Sequence, residues 1–299
     1  FIAPDVEPGD AAAPISKPTL RTARHIIKGS DNNTPYLGFN EFYSMRVLER
    51  LKVVSVARTR MSDDGRLLIV ERFDVDEGGR PTHGVEDACS LLGLPPHEKY
   101  ATTMEKALKA TGVYIPAALA RSQQEHLGWH LLTNYVVRNA DCHTKNIALL
   151  YTARDNITLA PVYDMLTTTV YDDYAKNPPS MPVDGRSSWM PGKALERFVQ
   201  TRCGVMPAQT KERVERICEA IVRVTPQVVE AAGRYPAFHE TGKRMLHAWN
   251  AGMNSLRLQK TWSLPSLEGA IEAARFSDVK PGTPTPVEKV GRSPLLGTR

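Results

Sequence analysis

The pattern of apolar residues changes its character once along this 299-residue chain, and the change limits the folds that the chain can adopt. Before residue 76, short β-branched runs surround one helical pattern, whereas helical spacing dominates from residue 84 onward. Residues 76–81 (DEGGRP) lie between the two regions and favour a turn. We therefore predict an α+β fold with a small sheet-plus-helix lobe over residues 1–77 and a larger, mainly helical lobe over residues 78–278. A tail rich in Pro and Gly is expected over residues 279–299.

The small lobe contains four segments with recognisable patterns. The apolar run at residues 25–28 (HIIK) predicts a strand. Residues 40–51 predict an amphipathic helix because their apolar residues recur at helical spacing. Residues 53–58 and 67–73 are β-branched runs on either side of the turn sequence SDDG, so they predict a hairpin.

The large lobe should begin with helices and then present a second hairpin. Ser122 and Glu125 have the spacing of a capping box, which predicts a helix that continues to about Val137. Residues 147–151 and 157–159 are short apolar segments separated by a polar turn, and they predict the hairpin.

Composition excludes some classes of protein and leaves others open. No window approaches 18 consecutive apolar residues and no secretory signal is visible, so we expect a cytoplasmic protein without a membrane span. The net charge of +5 and the pI near 9.0 fit a nucleotide, a nucleic acid or an acidic partner equally well. Reduced thiols are expected because no C-x-x-C pair occurs among the four cysteines, which are Cys89, Cys142, Cys203 and Cys218.

The densest group of unusual polar residues lies at residues 138–146 (RNADCHTKN), between a predicted helix and a predicted strand. Asp141 and Asn146 have the D-x-x-x-x-N spacing of kinase catalytic loops. A carboxylate in the first position can accept the proton of an acceptor hydroxyl. An amide oxygen in the second position can bind Mg²⁺ without adding charge near phosphates. The spacing therefore predicts a phosphoryl-transfer loop.

Other residues stand where such a site needs them. Asp164 follows the second hairpin, where the principal Mg²⁺ ligand of a kinase lies. Lys28 ends the first predicted strand, where it could hold phosphates, and Glu41 on the next helix could pair with it. A lysine at a strand end is more often a solvated surface residue, and Asp164 alone could be a turn former. Residues 70–74 (VERFD) join the two lobes, where a hinge would hold adenine.

Two other chemistries fit the sequence poorly. His143 lies two residues from Asp141, but no third ligand at zinc spacing accompanies this pair. A Ser-His-Asp hydrolase would need a G-x-S-x-G nucleophile elbow, which the sequence lacks.

These residues together resemble the signature of a known family. Residues 139–146 (NADCHTKN), followed by residues 159–164 (LAPVYD), are similar to the paired motifs of the HipA-like serine/threonine kinases. The family's members are the toxins of bacterial toxin–antitoxin modules. The same order of family-like segments is seen at residues 25–28 (HIIK), 40–43 (NEFY), 70–74 (VERFD) and 93–100 (GLPPHEKY).

The resemblance implies a bilobal protein-kinase-like fold, with ATP and Mg²⁺ as cofactors and with assigned site residues. It implies Asp141 as the catalytic base and Asn146 and Asp164 as Mg²⁺ ligands. It also implies Lys28 on the phosphates and backbone contacts of Glu71 and Phe73 with adenine. The expected ATP-binding residues are therefore Lys28, Glu71, Phe73, Asp74, His143 and Lys145, with the last two either touching the phosphates or supporting the loop.

The resemblance also implies partners. The substrate would be a protein of the translation machinery, typically an aminoacyl-tRNA synthetase. A small helix-turn-helix antitoxin would be the usual partner, and contact with operator DNA would come only through that antitoxin.

The family's N-terminal subdomain and Gly-rich phosphate loop are not recognisable before His25, which puts the phosphate grip and any autophosphorylation site in doubt. Two alternatives remain open on the sequence. A small-molecule phosphotransferase of the aminoglycoside-kinase type uses a similar loop, although no acidic acceptor cluster is visible. A pseudokinase that acts as a scaffold or co-repressor would suit the loss of the Gly-rich loop, but Asp141, Asn146 and Asp164 are intact.

Overall fold

The computed structural model describes residues 18–189, 192–256 and 263–274. Its strands form two antiparallel sheets. The first sheet has the order β1-β2-β4-β3, and its strands are β1 (Thr19–Arg21), β2 (His25–Lys28), β3 (Thr59–Met61) and β4 (Leu68–Glu71). The second sheet has the order β5-β6-β7, and its strands are β5 (Gly84–Asp87), β6 (Ala148–Ala153) and β7 (Asn156–Leu159).

Helices predominate among the described residues that follow the start of the second sheet. One long helix belongs to the first sheet's lobe, α1 (Leu37–Leu51). The others are α2 (Ala88–Leu91), α3 (Met104–Gly112), α4 (Ala120–Val136), α5 (Gly192–Arg202), α6 (Pro207–Arg234), α7 (His239–Ser255) and α8 (Glu268–Ala273). None of the helices in the described ranges combines the length and the apolar content needed to cross a membrane.

The predicted α+β architecture is confirmed, with a small sheet lobe and a mainly helical remainder. The predicted helix at residues 40–51 is confirmed by α1, and the second hairpin is confirmed by β6 and β7. The domain limits at residues 77 and 278 stay a prediction, and the predicted tail at residues 279–299 lies outside the described residues.

Two local predictions were wrong, and two strands were not predicted. The first hairpin is formed by β3 and β4, and residues 53–58 are not part of it. Residues 53–58 instead form backbone hydrogen bonds with the other lobe. The Ala57 N–H donates to the Val162 carbonyl at 2.9 Å, and the Val162 N–H donates to the Ser55 carbonyl at 2.8 Å. Ser122 is not a cap, since α4 already begins at Ala120 and the Ser122 hydroxyl donates to the Leu119 carbonyl. Strands β1 and β5 were missed because they are short and weakly apolar.

Helix α1 is fixed against the helical lobe by an aromatic cluster. The ring of Phe39 lies 4.9 Å from the rings of both Tyr235 and Phe238, centroid to centroid, and Tyr43 stacks on Phe39. Because aromatic side chains bury large areas at well-defined angles, this cluster holds α1 in one position. Glu41, on the same helix, is 1% exposed and is therefore presented to the interior at a fixed place.

The end of α4 determines where the predicted catalytic loop begins. Arg138 has a left-handed backbone conformation, with φ of 59°. Its N–H donates to the Tyr135 carbonyl at 3.3 Å, and the Asn139 N–H donates to the Asn134 carbonyl at 3.0 Å. These two bonds form a Schellman motif, which ends a helix and turns the chain sharply. The turn delivers residues 139–146 to the site.

A glycine permits the close approach of α7 to this same helix end. A Cβ atom at Gly252 would collide with the backbone carbonyl of Val136, two residues before Arg138. Backbone cannot move aside as a flexible side chain does, so the approach of α7 to α4 depends on the missing side chain.

We therefore expect Gly252→Ala to lower the free energy of unfolding by about 1–3 kcal/mol, the usual cost of overpacking a buried contact. Gly233→Ala is the control, because Gly233 lies in α6 and a Cβ there meets nothing within 4 Å. That control should be neutral or more stable, by up to about 1 kcal/mol, because alanine is the better helix former. Urea unfolding of both variants measures the difference, and equal stabilities would refute this account of the α4–α7 contact.

Candidate active site

Lys28 joins the first sheet to the loop that carries Asp164. Its ammonium donates to Glu41 Oε1 at 2.6 Å and to Asp164 Oδ1 at 3.0 Å. Lys28 is 9% exposed, so the interpretation of Lys28 as a solvated surface residue is wrong. The predicted pairing of Lys28 with Glu41 is present, and Lys28 also binds the predicted Mg²⁺ ligand Asp164. One cation thus links strand β2, helix α1 and the residue after the second hairpin.

This geometry predicts a large stability effect at Lys28. Lys28→Met keeps much of the apolar length but removes the cation from a carboxylate buried in α1, and breaking a buried pair in this way costs about 3–5 kcal/mol. Arg60→Met is a matched control, because Arg60 is an exposed cation on β3 of the same sheet. Urea unfolding should show a loss only for Lys28→Met. If the two variants were equally stable, the buried ion pair would contribute nothing to folding.

Asp164 and Asn146 lie side by side. The Asn146 amide nitrogen donates to Asp164 Oδ2 at 3.1 Å, and Lys28 donates to Oδ1, so each oxygen of this carboxylate accepts a hydrogen bond. Asp164 has φ of 58°, a conformation that non-glycine residues adopt rarely and that recurs at functional sites. The Asn146 side-chain oxygen accepts from the His143 N–H at 2.9 Å within a short 3₁₀ turn, Thr144–Asn146. The turn therefore fixes Asn146 next to Asp164.

Asp141 lies at the start of the same loop and is held at both its backbone and its side chain. Its N–H donates to the Asn139 side-chain oxygen at 3.1 Å, and the Tyr100 hydroxyl donates to Asp141 Oδ1 at 2.6 Å. Burial and then the charges of Asp141 and Asp164 raise the pKa of the Cys142 thiol to about 12. Asp141 begins the short loop that ends at Asn146, the residue whose amide binds Asp164.

His143 and Lys145, predicted to support the loop or touch phosphates, both make contacts that brace the loop. The Lys145 ammonium donates to Asp87 Oδ2 at 2.6 Å, at the end of β5. The His143 ring meets the Tyr100 ring edge-on at a centroid distance of 5.1 Å. These contacts suit the supporting role, and a contact of either residue with phosphates stays a prediction.

The predicted adenine hinge follows β4. Glu71 has an exposed side chain beside Arg58, and the Phe73 ring lies 5.8 Å from the Tyr163 ring, which precedes Asp164. The Asp74 carboxylate accepts from Arg72 Nε at 3.0 Å and from a second nitrogen of that guanidinium at 2.5 Å. Hydrogen bonds from Arg72 lower the pKa of Asp74. Its carboxylate is thus occupied by Arg72, and its role in binding ATP stays a prediction.

Three residues that hold the site were given no role from the sequence. Tyr100 binds Asp141, Asp87 binds Lys145, and the Tyr163 hydroxyl donates to the Lys145 carbonyl. A signal existed for two of them, since Tyr100 ends the GLPPHEKY segment and Tyr163 belongs to the Y-D motif. Asp87 had none.

The chemistry of the site suits Mg²⁺. Carboxylate and amide oxygens are ligands that this ion prefers, and it is commonly bound by one or two protein ligands together with substrate phosphates. Asp164 would supply carboxylate oxygens, and the Asn146 side-chain oxygen has a second lone pair besides the one that accepts from the His143 N–H. The described residues contain no group of three His, Cys, Asp or Glu side chains that could hold a metal ion without such help.

A small antiparallel sheet, a buried Lys–Glu pair, a loop carrying Asp141 and Asn146, and Asp164 after the second hairpin define a protein-kinase-like fold. The chain belongs to the HipA-like C-terminal domain family, whose sequence model matches residues 11–227. The resemblance drawn from the sequence is thereby confirmed.

Two curated relatives have names that refer to kinases. The “Putative kinase Y4mE” of Sinorhizobium fredii is 31% identical over 171 residues, which are 55% of this chain and 40% of that protein. A “Putative kinase” of Haemophilus influenzae is 24% identical over 163 residues, which are 50% of this chain and 46% of that protein. The chain therefore matches less than half the length of these two relatives.

Two solved structures share the fold. HipA of Shewanella oneidensis, solved with HipB and its operator DNA, aligns with a TM-score of 0.62 and 21% identity, covering 79% of this chain and 61% of that one. The Helicobacter pylori proinflammatory kinase CtkA aligns with a TM-score of 0.54 and 12% identity, covering 78% of this chain and 88% of that one. At these identities the likeness is one of fold.

Proposed function

We propose that this chain transfers the γ-phosphoryl group of ATP, with Mg²⁺, to a serine or threonine of a protein. The observation that carries the proposal is the linked arrangement of Lys28, Asp164 and Asn146, in which the Asp164 carboxylate accepts hydrogen bonds from both of the others. Phosphoryl transfer depends chiefly on positioning and on stabilising negative charge, and these groups are suited to both. Membership of the HipA-like family favours this function over the other two alternatives.

Each residue has a definite part in the reaction. The acceptor hydroxyl gives its proton to the Asp141 carboxylate as its oxygen bonds to the γ-phosphorus, and the bond between that phosphorus and the β–γ bridging oxygen breaks to release ADP. Lys28 neutralises charge on the phosphates, as its ammonium does for Asp164 in this structure. Asp164 and Asn146 would hold Mg²⁺, which supplies charge neutralisation at the phosphates.

The adenine ring would bind at the hinge after β4. The Phe73 N–H donates no hydrogen bond to any other residue in the described part of the chain, so it can donate to a ring nitrogen. The Phe73 ring adjoins the ring of Tyr163, the residue before Asp164, and this contact supports a hinge near the proposed metal ligand. These contacts favour the assignment of Phe73, and of Glu71 through its backbone, to adenine.

The biological role proposed here is that of a toxin. The family, and the structure of Shewanella HipA with HipB and operator DNA, favour a small helix-turn-helix antitoxin as partner, with DNA contacted only through it. The acceptor would be a cytoplasmic protein of translation, such as an aminoacyl-tRNA synthetase.

Calorimetric titration with a nonhydrolysable ATP analogue tests nucleotide binding. Wild type should bind it with Mg²⁺ and much more weakly with EDTA, whereas Lys28→Met should lose at least about tenfold in affinity, the equivalent of one charge-assisted hydrogen bond. Arg60→Met, the exposed cation on the same sheet, should bind like wild type. If the wild-type protein binds no analogue, or if Lys28→Met binds as tightly as Arg60→Met, the proposed site is wrong.

A further inference from the structure

The segment between α2 and α3 is fastened to the predicted catalytic loop at two consecutive residues. The Lys99 carbonyl accepts from the Thr144 hydroxyl at 2.8 Å and from the Thr144 N–H at 3.3 Å. The next residue, Tyr100, donates its hydroxyl to Asp141 Oδ1 at 2.6 Å. Neither residue has a part in the chemistry proposed above, so the attachment calls for its own explanation.

The Tyr100 ring has little freedom to leave this position. The Lys99 ammonium lies 4.9 Å from the centroid of the Tyr100 ring, and the His143 ring packs against it edge-on. Burial, and then the charge of Asp141, raise the pKa of the Tyr100 hydroxyl well above its usual range, so it keeps its proton and acts as a donor. Tyr100 is thus a fixed donor to one oxygen of Asp141.

The other oxygen of Asp141 is not used in this way. Within the described ranges no hydrogen bond reaches Asp141 Oδ2, while Oδ1 is bound by Tyr100. A carboxylate has room for several donors, and one bound oxygen restricts the rotation of the whole group. The arrangement leaves Oδ2 available for an incoming hydroxyl.

We infer that Tyr100 is a positioning residue for phosphoryl transfer: its hydroxyl holds Asp141 through Oδ1 so that Oδ2 can take the proton of the acceptor. This inference rests on the proposed function. Holding a catalytic group in its productive orientation is a large part of enzymatic rate enhancement, and a misplacement of about 1 Å can lower the rate about 10²-fold.

Tyr100→Phe removes only the hydroxyl, and Tyr135→Phe is the matched control, since the Tyr135 hydroxyl is buried without a hydrogen-bond partner in the described structure. Transfer of label from [γ-³²P]ATP to dephosphorylated casein, as a generic acceptor, gives kcat and the KM for ATP. We expect Tyr100→Phe to lower kcat about tenfold or more with the KM for ATP and the melting temperature unchanged. The Tyr135→Phe control should match wild type in all three.

A double variant separates positioning from general damage. Because Tyr100 acts through Asp141, Tyr100→Phe combined with Asp141→Asn should be no slower than Asp141→Asn alone, as residues that work as a unit are not additive. If the losses in kcat of the two single variants were additive in the double variant, the inference would be overturned. An unchanged or higher kcat for Tyr100→Phe would also overturn it, because the hydroxyl would then be irrelevant to the reaction or an obstacle to the acceptor. A wild-type protein that binds the ATP analogue yet transfers nothing to casein, to the proteins of a bacterial extract or to water would refute the proposed function and this inference together.

Discussion

Replacing Asp164 by Ala is expected to lower phosphoryl transfer by at least about 10³-fold. Asp164 is both the expected principal Mg²⁺ ligand and the carboxylate that binds Lys28 and Asn146. Its removal takes away the hydrogen-bond acceptor that Lys28 and Asn146 share, so the metal ion and the phosphates would no longer be held in their reactive positions. Asp164→Asn keeps the shape and one oxygen, but it should lose most activity because the charge that attracts the metal is gone.

The control for this change is Asp173→Ala, because Asp173 is an exposed carboxylate in the neighbouring 3₁₀ turn Asp172–Tyr174. Rates of transfer from [γ-³²P]ATP at saturating Mg²⁺ would be compared for both variants and wild type, with circular dichroism to confirm folding. Undiminished transfer by folded Asp164→Ala would contradict the assignment of the metal site.

The second large effect is expected at Asp141, in cells as well as in the test tube. Asp141→Asn should lower transfer by about 10²–10⁴-fold, the range that general-base catalysis supplies. It nearly preserves shape, and the Asn side-chain oxygen can still accept from Tyr100, so folding and nucleotide binding should hold. If the chain is a toxin that acts by phosphorylation, expression of wild type alone should arrest growth and Asp141→Asn should relieve the arrest.

Growth curves at matched protein levels test the predicted growth arrest and its relief by Asp141→Asn. An Asp141→Asn variant as toxic as wild type would mean that toxicity comes from binding rather than from phosphoryl transfer. If neither protein were toxic, the toxin role would fail while the enzymatic assignment could still stand on the transfer assay. Tyr135→Phe again serves as a neutral comparison, because its hydroxyl has no hydrogen-bond partner in the described structure.

The parts of the fold that were predicted from the sequence carry strong local signals. Helix α1 and the hairpin β6–β7 have clear periodicity and turn sequences, and the structure has both. The placement of residues 53–58 failed because their β-branched pattern cannot show which partner they choose, and the chain there bonds to Val162, more than a hundred residues away. Local pattern gives the preference for extended backbone, but distant contacts decide the pairing.

The candidate site shows the same division. Lys28, Asn146 and Asp164 were predicted as members of one site from their types and spacing, and the structure brings them into hydrogen-bonding contact. The burial of Lys28 could not be predicted from residues 25–28, because it depends on Glu41 and Asp164 from two other elements.

The contact between Asp87 and Lys145 could not be predicted from the sequence of β5 either. A single Asp before a short helix is equally typical of an N-cap, and Asp87 also fills that role.

The most direct measurement of the central claim is the transfer of label from [γ-³²P]ATP by the purified protein, to casein and to the proteins of a bacterial extract, with Mg²⁺ or with EDTA. The account predicts labelled protein with wild type and Mg²⁺, little label with EDTA, and a loss of at least about 10²-fold with Asp141→Asn. The assignment of this site as the active site of a phosphotransferase would be contradicted by either of two results. One is a wild-type protein that binds the ATP analogue but transfers no label, and the other is equal transfer by wild type and Asp141→Asn.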